Sequence, residues 1–185
     1  YLIARLHPVL SNSIYWEFTL CFFGGMTMLI ASFWALKADD IKEILAFSTI
    51  SALGILVFAF GIGTEAAIYA GLTYLIAHAL YKSGLFMLAG AIDKMNGTRL
   101  ISALPARLYR KMPLTFSLQF FSALSFAGII PFLGFVAKEK LLEMTLDSPI
   151  ANTLYTVILF FTSAFFVSVF WRLTHGTFMK NDGSG

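Results

Sequence analysis

Long apolar runs that never alternate leave this chain few folds to choose from. Residues 44–64, 112–137 and 148–171 contain no charged side chain at all. Each run is about 20 residues or longer, the length an α-helix needs to cross a hydrocarbon core. The runs lack the period of two that a half-buried strand would show. A soluble domain carries about 25% charged residues, whereas this chain has 12% and is 58% hydrophobic. The expected fold class is therefore all-α and integral to the membrane. A formal net charge of +3 is no nucleic-acid signal, because the basic residues fall in short loops between apolar runs. Cys21 stands alone inside an apolar run, so it reads as a buried thiol with no disulfide or cysteine-based metal site.

About five transmembrane helices can be drawn, plus the tail of a preceding one. The first covers 14–36, with Trp16 and Trp34 at its borders as in an aromatic belt. Asp39 and Asp40 open the second, where the helix dipole favours acids. That helix carries Ser48, Thr49 and Ser51, a polar patch suited to helix–helix contact. Gly61 and Gly63 are predicted to make the turn. The third span covers 66–92, and Asp93 through Thr98 reads as a turn. Met112-Pro113 restarts the chain, since proline is tolerated in a first helical turn. The fourth span contains Gly128, Pro131 and Gly134. Proline removes a backbone hydrogen bond and clashes with the preceding turn, so this span is predicted to be broken near Pro131. Such breaks persist only where protein or water meets the freed groups. The fifth span covers 148–171. The segment Tyr1-Leu-Ile-Ala-Arg5, followed by His7-Pro8, reads as the last turn of an earlier helix, and the expectation is a fragment of a longer polytopic chain. Residues 1–172 form its membrane part and 173–185 a polar tail.

Loop charges suggest an orientation. Lys37, Lys42, Lys94, Arg99, Arg107, Arg110, Lys111, Arg172 and Lys180 fall on one side. Arg5, Glu65, Glu143 and Asp147 fall on the other. The basic side is expected to be cytoplasmic, with the 93–112 loop and the C-terminus there and the chain multi-pass in a plasma or inner membrane.

Two residues break the apolar rule inside the third span. His78 and Lys82 lie four residues apart, about one helical turn, so they share a face. A lysine at membrane depth costs roughly 2.5–3.5 kcal/mol on insertion scales and usually marks an ion or proton path. Lys82 lies about ten residues from the end of its span, roughly 15 Å at 1.5 Å per residue, too far for easy snorkelling to the interface. It reads as a lysine that takes up and releases a proton. His78 is either its relay partner, with an unperturbed pKa of about 6.5, or a neutral histidine bonded to a neighbouring helix. Tyr74, one turn further along the stripe, is either a hydrogen-bonded link or an ordinary packed tyrosine. For Lys138 the spacing leaves two placements. A straight helix from Pro113 puts it beyond the far interface, and a helix that unwinds around 128–134 keeps it at membrane depth. Lys42 and Glu43 read as interface anchors. No glycine-rich phosphate loop, zinc-type ligand cluster or nucleophile arrangement is visible, so no cofactor, metal or chemistry on an organic substrate is expected.

Three segments carry a family resemblance: residues 40–51, DIKEILAFSTIS; residues 78–86, HALYKSGLF; and residues 128–139, GIIPFLGFVAKE. In order and spacing they resemble the antiporter-like membrane subunits shared by respiratory complex I and Mrp-type Na+/H+ antiporters. Tyr1-Leu-Ile-Ala-Arg5 with Pro8, and residues 92–99, are similar to the A-type subunit of the Mrp branch. The resemblance implies that Lys82 corresponds to the family's central proton-channel lysine and His78 to the histidine one turn before it. Lys138 then corresponds to the terminal lysine after the broken helix, which implies membrane depth. The chain would be the ninth to thirteenth helices of such a protein, without much of its first inverted repeat. Many members have histidine where Tyr74 stands and glutamine where Ala52 stands. The implied function is part of a proton-translocating subunit of a multisubunit cation (Na+)/proton antiporter. Its implied partners are the other subunits, the lipid bilayer, H+ and Na+. One alternative is the proton-pumping, non-redox membrane subunit of an NADH:quinone oxidoreductase or related complex. Another is a membrane scaffold that transports nothing, against which the two retained lysines argue.

Overall fold

The computed structural model describes residues 2–10, 13–146 and 152–180, so Asp147 and the expected start of the fifth span at 148 lie outside the described residues. Among these the chain is almost wholly helical, with one isolated bridge pairing Asp40 and Leu100. Four helices are long and apolar enough to cross a membrane, and a shorter apolar helix covers Pro113–Ala127. Helix α1 (Leu2–Leu10) precedes α2 (Ile14–Lys37) and α3 (Ile41–Ile62). The Asp40 carboxylate caps α3 by accepting the Lys42 and Glu43 amides at 2.8 and 3.3 Å, satisfying donors a helix start leaves open. Thr64 caps α4 (Glu65–Asn96) by accepting the Ala67 amide at 3.2 Å.

Small residues set how closely α2 and α3 approach. A Cβ on Gly24 would lie 2.7 Å from the Phe58 nitrogen, and one on Gly54 would lie 2.7 Å from the Met28 nitrogen. Backbone therefore meets backbone, as membrane helices permit where side chains are absent. The Ser51 hydroxyl donates to the Met28 carbonyl at 2.8 Å across this seam. After a short α5 (Leu108–Lys111), the chain forms α6 (Pro113–Ala127), α7 (Leu133–Leu146) and α8 (Asn152–Trp171). Helix α4 is the hub. It packs against α3, α6 and α7, while α8 closes the bundle against α2, α6 and α7.

The fourth span is broken as predicted. Helix α6 ends at Ala127, Gly128 turns with φ 78°, and α7 begins at Leu133. The Ile130–Pro131 peptide is cis. Gly134 lies inside α7 rather than in the break, and its lack of a side chain has a clear use: a Cβ there would run into the Ser125 carbonyl. The two half-helices can therefore touch through their backbones.

Three expected boundaries shift. Gly61 does not turn the chain. It is buried within α3, where a Cβ would meet Leu20 Cβ at 2.8 Å, and Gly63 alone adopts the left-handed cap at φ 68°. Helix α4 continues through Asp93 to Asn96 before Gly97 stops it at φ 67°. Within that last turn the Asp93 carboxylate accepts from Lys42 Nζ at 2.8 Å. After Trp171 the chain continues as a π-helical turn over Arg172–Gly176. Leu173, Thr174, Thr177 and Phe178 are buried, and the Gln119 amide donates to the Leu173 carbonyl at 2.9 Å. Residues 173–178 are thus packed against α6, although their composition reads as a tail, and the rest of that expected tail, 181–185, lies outside the described residues.

The basic loops gather at one end of the bundle. Arg99 pairs with Asp40, the Ser102 hydroxyl donates to Asp39, Arg172 donates to the Leu36 carbonyl, and Lys180 donates to the Ser102 carbonyl at 2.9 Å.

Candidate functional site: two lysines inside the bundle

Lys82 projects from the middle of α4 toward α3 and is 4% exposed. Among the described residues no other lysine, arginine or acid is as completely enclosed. Its ammonium donates to the Leu45 carbonyl at 2.9 Å and to the Ser48 hydroxyl. Ser48 can accept that bond because its own proton is directed back to the Ile44 carbonyl at 2.8 Å, a bond serines commonly make within helices. The Phe126 ring lies 5.2 Å from Lys82 Nζ and the Phe86 ring 5.8 Å, within cation–π range.

Lys138 occupies the second turn of α7. Its ammonium reaches back across the break and donates to the Ala127 carbonyl at 2.6 Å. That carbonyl belongs to the last residue of α6, where helix ends carry unpaired acceptors and negative partial charge. Gly128 leaves room for this path: a Cβ on it would lie 2.5 Å from Lys138 Cδ. The Phe166 ring of α8 lies 5.3 Å from Lys138 Nζ. Of the two placements the spacing allowed, the broken helix gives the one inside the bundle. Among the described residues no carboxylate pairs with Lys82 or Lys138. Each proton can therefore leave without an ion pair being broken.

His78 is buried one turn before Lys82, and its Nδ1 lies 3.1 Å from the Tyr81 hydroxyl. Its ring sits 6.1 Å from that of Tyr74 and 5.3 Å from that of Tyr81. Tyr74 is 1% exposed, and its hydroxyl lies beside that of Tyr81 but makes no well-aligned hydrogen bond among the described residues. Tyr74 and Lys138 line one cavity of about 520 Å³ between α3, α4, α7 and α8. Buried hydroxyls are normally satisfied by protein or water. A cavity of this size with polar groups on its wall has room for water to do so.

The structure thus brings Lys82, His78, Tyr74 and Lys138 into one region of the interior. It adds two residues the sequence did not single out for this site. Ser48 reads only as a helix–helix contact until its register against Lys82 is seen. Tyr81 lies beside the stripe through residues 74, 78 and 82, and its separation of three from His78 is the one signal that could have found it. Among the described residues no group of His, Cys, Asp and Glu is arranged to hold a metal ion.

A helical bundle with a broken apolar span and two lysines turned toward its interior, one of them a turn from a buried histidine, defines a multi-pass membrane protein with ionisable groups inside the bundle. The chain belongs to the NADH:quinone oxidoreductase/Mrp antiporter transmembrane family, whose profile matches residues 1–167. It is 41% identical over 165 residues to the A1 subunit of the Na(+)/H(+) antiporter of Staphylococcus aureus, in strains JH9 and Newman alike, over 82% of this chain and 20% of that protein. The fold is similar to a chain in the structure of the Mrp complex from Dietzia sp. DQ12-45-1b, with TM-score 0.88 and 39% identity over 94% of this chain and 20% of that one. It is also similar to a chain of the membrane-bound sulfane sulfur reductase, an archaeal respiratory membrane complex, with TM-score 0.80 and 31% identity over 89% and 27%. The chain therefore spans about a fifth of the length of the curated relatives it matches.

Proposed function

We propose that this chain is part of a proton-translocating membrane subunit of a multisubunit Na+/H+ antiporter, with protons relayed through Lys82, His78, Tyr74 and Lys138. One observation carries the reading. Two lysines lie inside the bundle with only neutral partners, beside a buried histidine and two tyrosines, one of which lines a cavity with Lys138. An interior charge that only stabilised packing would be replaced at a gain by an apolar residue.

In this mechanism a protonated Lys82 rests against the Leu45 carbonyl and Ser48. It gives up its proton toward the His78 face, where the imidazole and Tyr81 share a hydrogen bond. Tyr74 connects that face to the cavity, and water there completes the step to Lys138. A proton on Lys138 is held by the Ala127 carbonyl until it moves on. The basic end of the bundle, including the 93–112 loop and the C-terminal segment, faces the cytoplasm of a plasma membrane under the positive-inside rule. The partners are the remaining subunits of the complex, lipid, H+ and Na+.

The test is proton exchange in vesicles carrying the full complex, with Lys82→Met, Lys138→Met and His78→Ala compared. Methionine keeps length and apolar stem while removing the charge. Each lysine variant should abolish exchange with assembly intact, and His78→Ala should lower it less, because water can replace one relay step. A normally assembled Lys82→Met complex exchanging at the wild-type rate would end this reading and leave a scaffold.

The likeness to a respiratory membrane complex supports a second reading, in which the same helices pump protons in a redox-driven assembly while the redox chemistry occurs in other subunits. The composition of the purified complex separates the two: small antiporter subunits in one case, iron–sulfur subunits in the other.

A further inference from the structure

We propose that Phe126 and Phe166 form a dry gate between Lys82 and Lys138, closing the direct route so that protons must take the histidine–tyrosine path. The inference rests on the proton-relay reading above. It starts from an arrangement of four groups in a row. Lys82 Nζ lies 5.2 Å from the Phe126 ring, Phe126 lies 4.8 Å from the Phe166 ring, and Phe166 lies 5.3 Å from Lys138 Nζ. Both rings are 1% exposed. Phe166 is part of the wall of the cavity that holds Lys138, and Phe126 stands behind it against Lys82.

The rings serve the path in two ways. They fill the volume between two amines that would otherwise gather water, and an apolar barrier with no polar atoms offers water nothing to bind. Each ring also turns a face toward its own ammonium, so each cation is steadied by the barrier that separates it from the other. Tyr81 braces the gate edge-on, 5.7 Å from Phe126. The same tyrosine bonds His78, so the gate and the bypass share a residue. Phe126 is adjacent to Ala127, whose carbonyl holds Lys138.

A gate predicts leak, which loss of packing alone does not. The full complex is reconstituted into vesicles, and passive proton conductance is measured without exchangeable cation, beside coupled exchange. Phe126→Ala and Phe166→Ala should raise passive conductance severalfold and lower coupled exchange. Phe126→Leu and Phe166→Leu keep most of the plug and should stay close to wild-type tightness. The added conductance should vanish in Lys82→Met/Phe126→Ala. Should the alanine variants fail to assemble, Phe126→Val and Phe166→Val open a smaller gap and carry the same expectation. Alanine or valine vesicles as proton-tight as wild type would overturn the gate. So would leucine variants that leak as much as alanine, or a leak that survives loss of Lys82. Failure of the relay reading looks different: Lys82→Met alone would leave exchange intact, whatever the phenylalanine variants do.

Discussion

Ser48 shows how a single hydroxyl can define what a buried lysine does. It is fully buried, it donates to its own helix, and it leaves its oxygen free to accept from Lys82. Ser48→Ala removes that acceptor and leaves the Leu45 carbonyl as the remaining hydrogen-bond partner. Leaving a buried charged donor underserved costs about 1–3 kcal/mol. The variant complex should assemble, exchange protons severalfold more slowly, and recover on Ser48→Thr, which restores the oxygen. Wild-type exchange rates in Ser48→Ala vesicles would remove Ser48 from the site. At this scale the sequence was informative about residue type and silent about partner. Lys82 and His78 stand out because charge is rare in apolar runs. Tyr81, Phe126 and Phe166 do not, because aromatic residues are common throughout a chain with 20 phenylalanines.

At the scale of elements, the close contacts are backbone to backbone, and glycines make them possible. Gly54 faces Met28 across the α2–α3 seam, so Gly54→Ala pushes a methyl into main-chain atoms. Overpacking of this kind costs about 1–3 kcal/mol, and it should appear as lower yield and thermal stability of the complex. Gly128→Ala carries two penalties. The residue adopts φ 78°, which costs a side-chain-bearing residue roughly 1–2 kcal/mol. Its methyl would also displace the Lys138 stem. Loss of exchange should therefore exceed loss of assembly in Gly128→Ala, whereas Gly54→Ala should lose both in proportion. Measuring rate per assembled complex separates them. The break was legible from glycine and proline, whose backbone effects are local. The π-helical turn after Trp171 was not, because its carbonyl is satisfied by Gln119, 54 residues earlier.

For the whole molecule, the basic ends of α2, α4 and α8 and the 93–112 loop form one connected surface. At the opposite end, Glu65, Tyr69, Lys140 and Glu143 line a shared recess, with Lys140 and Glu143 paired at 2.7 Å. Cysteine at the exposed Lys94 position should resist an impermeant thiol reagent in intact cells and react in inside-out membranes. Ready labelling from outside would reverse the proposed orientation. Membrane residence, the order of the helices, the broken span and the two lysines all follow from the sequence, because each depends on local length, polarity or backbone preference. The depth of Lys138, the Ser48 and Leu45 seat of Lys82, the role of Gly61 and the aromatic wall between the lysines depend on which helices meet. Those contacts join residues 11 to 41 positions apart. No local pattern encodes them, and the packing of α2, α3, α4, α6, α7 and α8 against one another decides them.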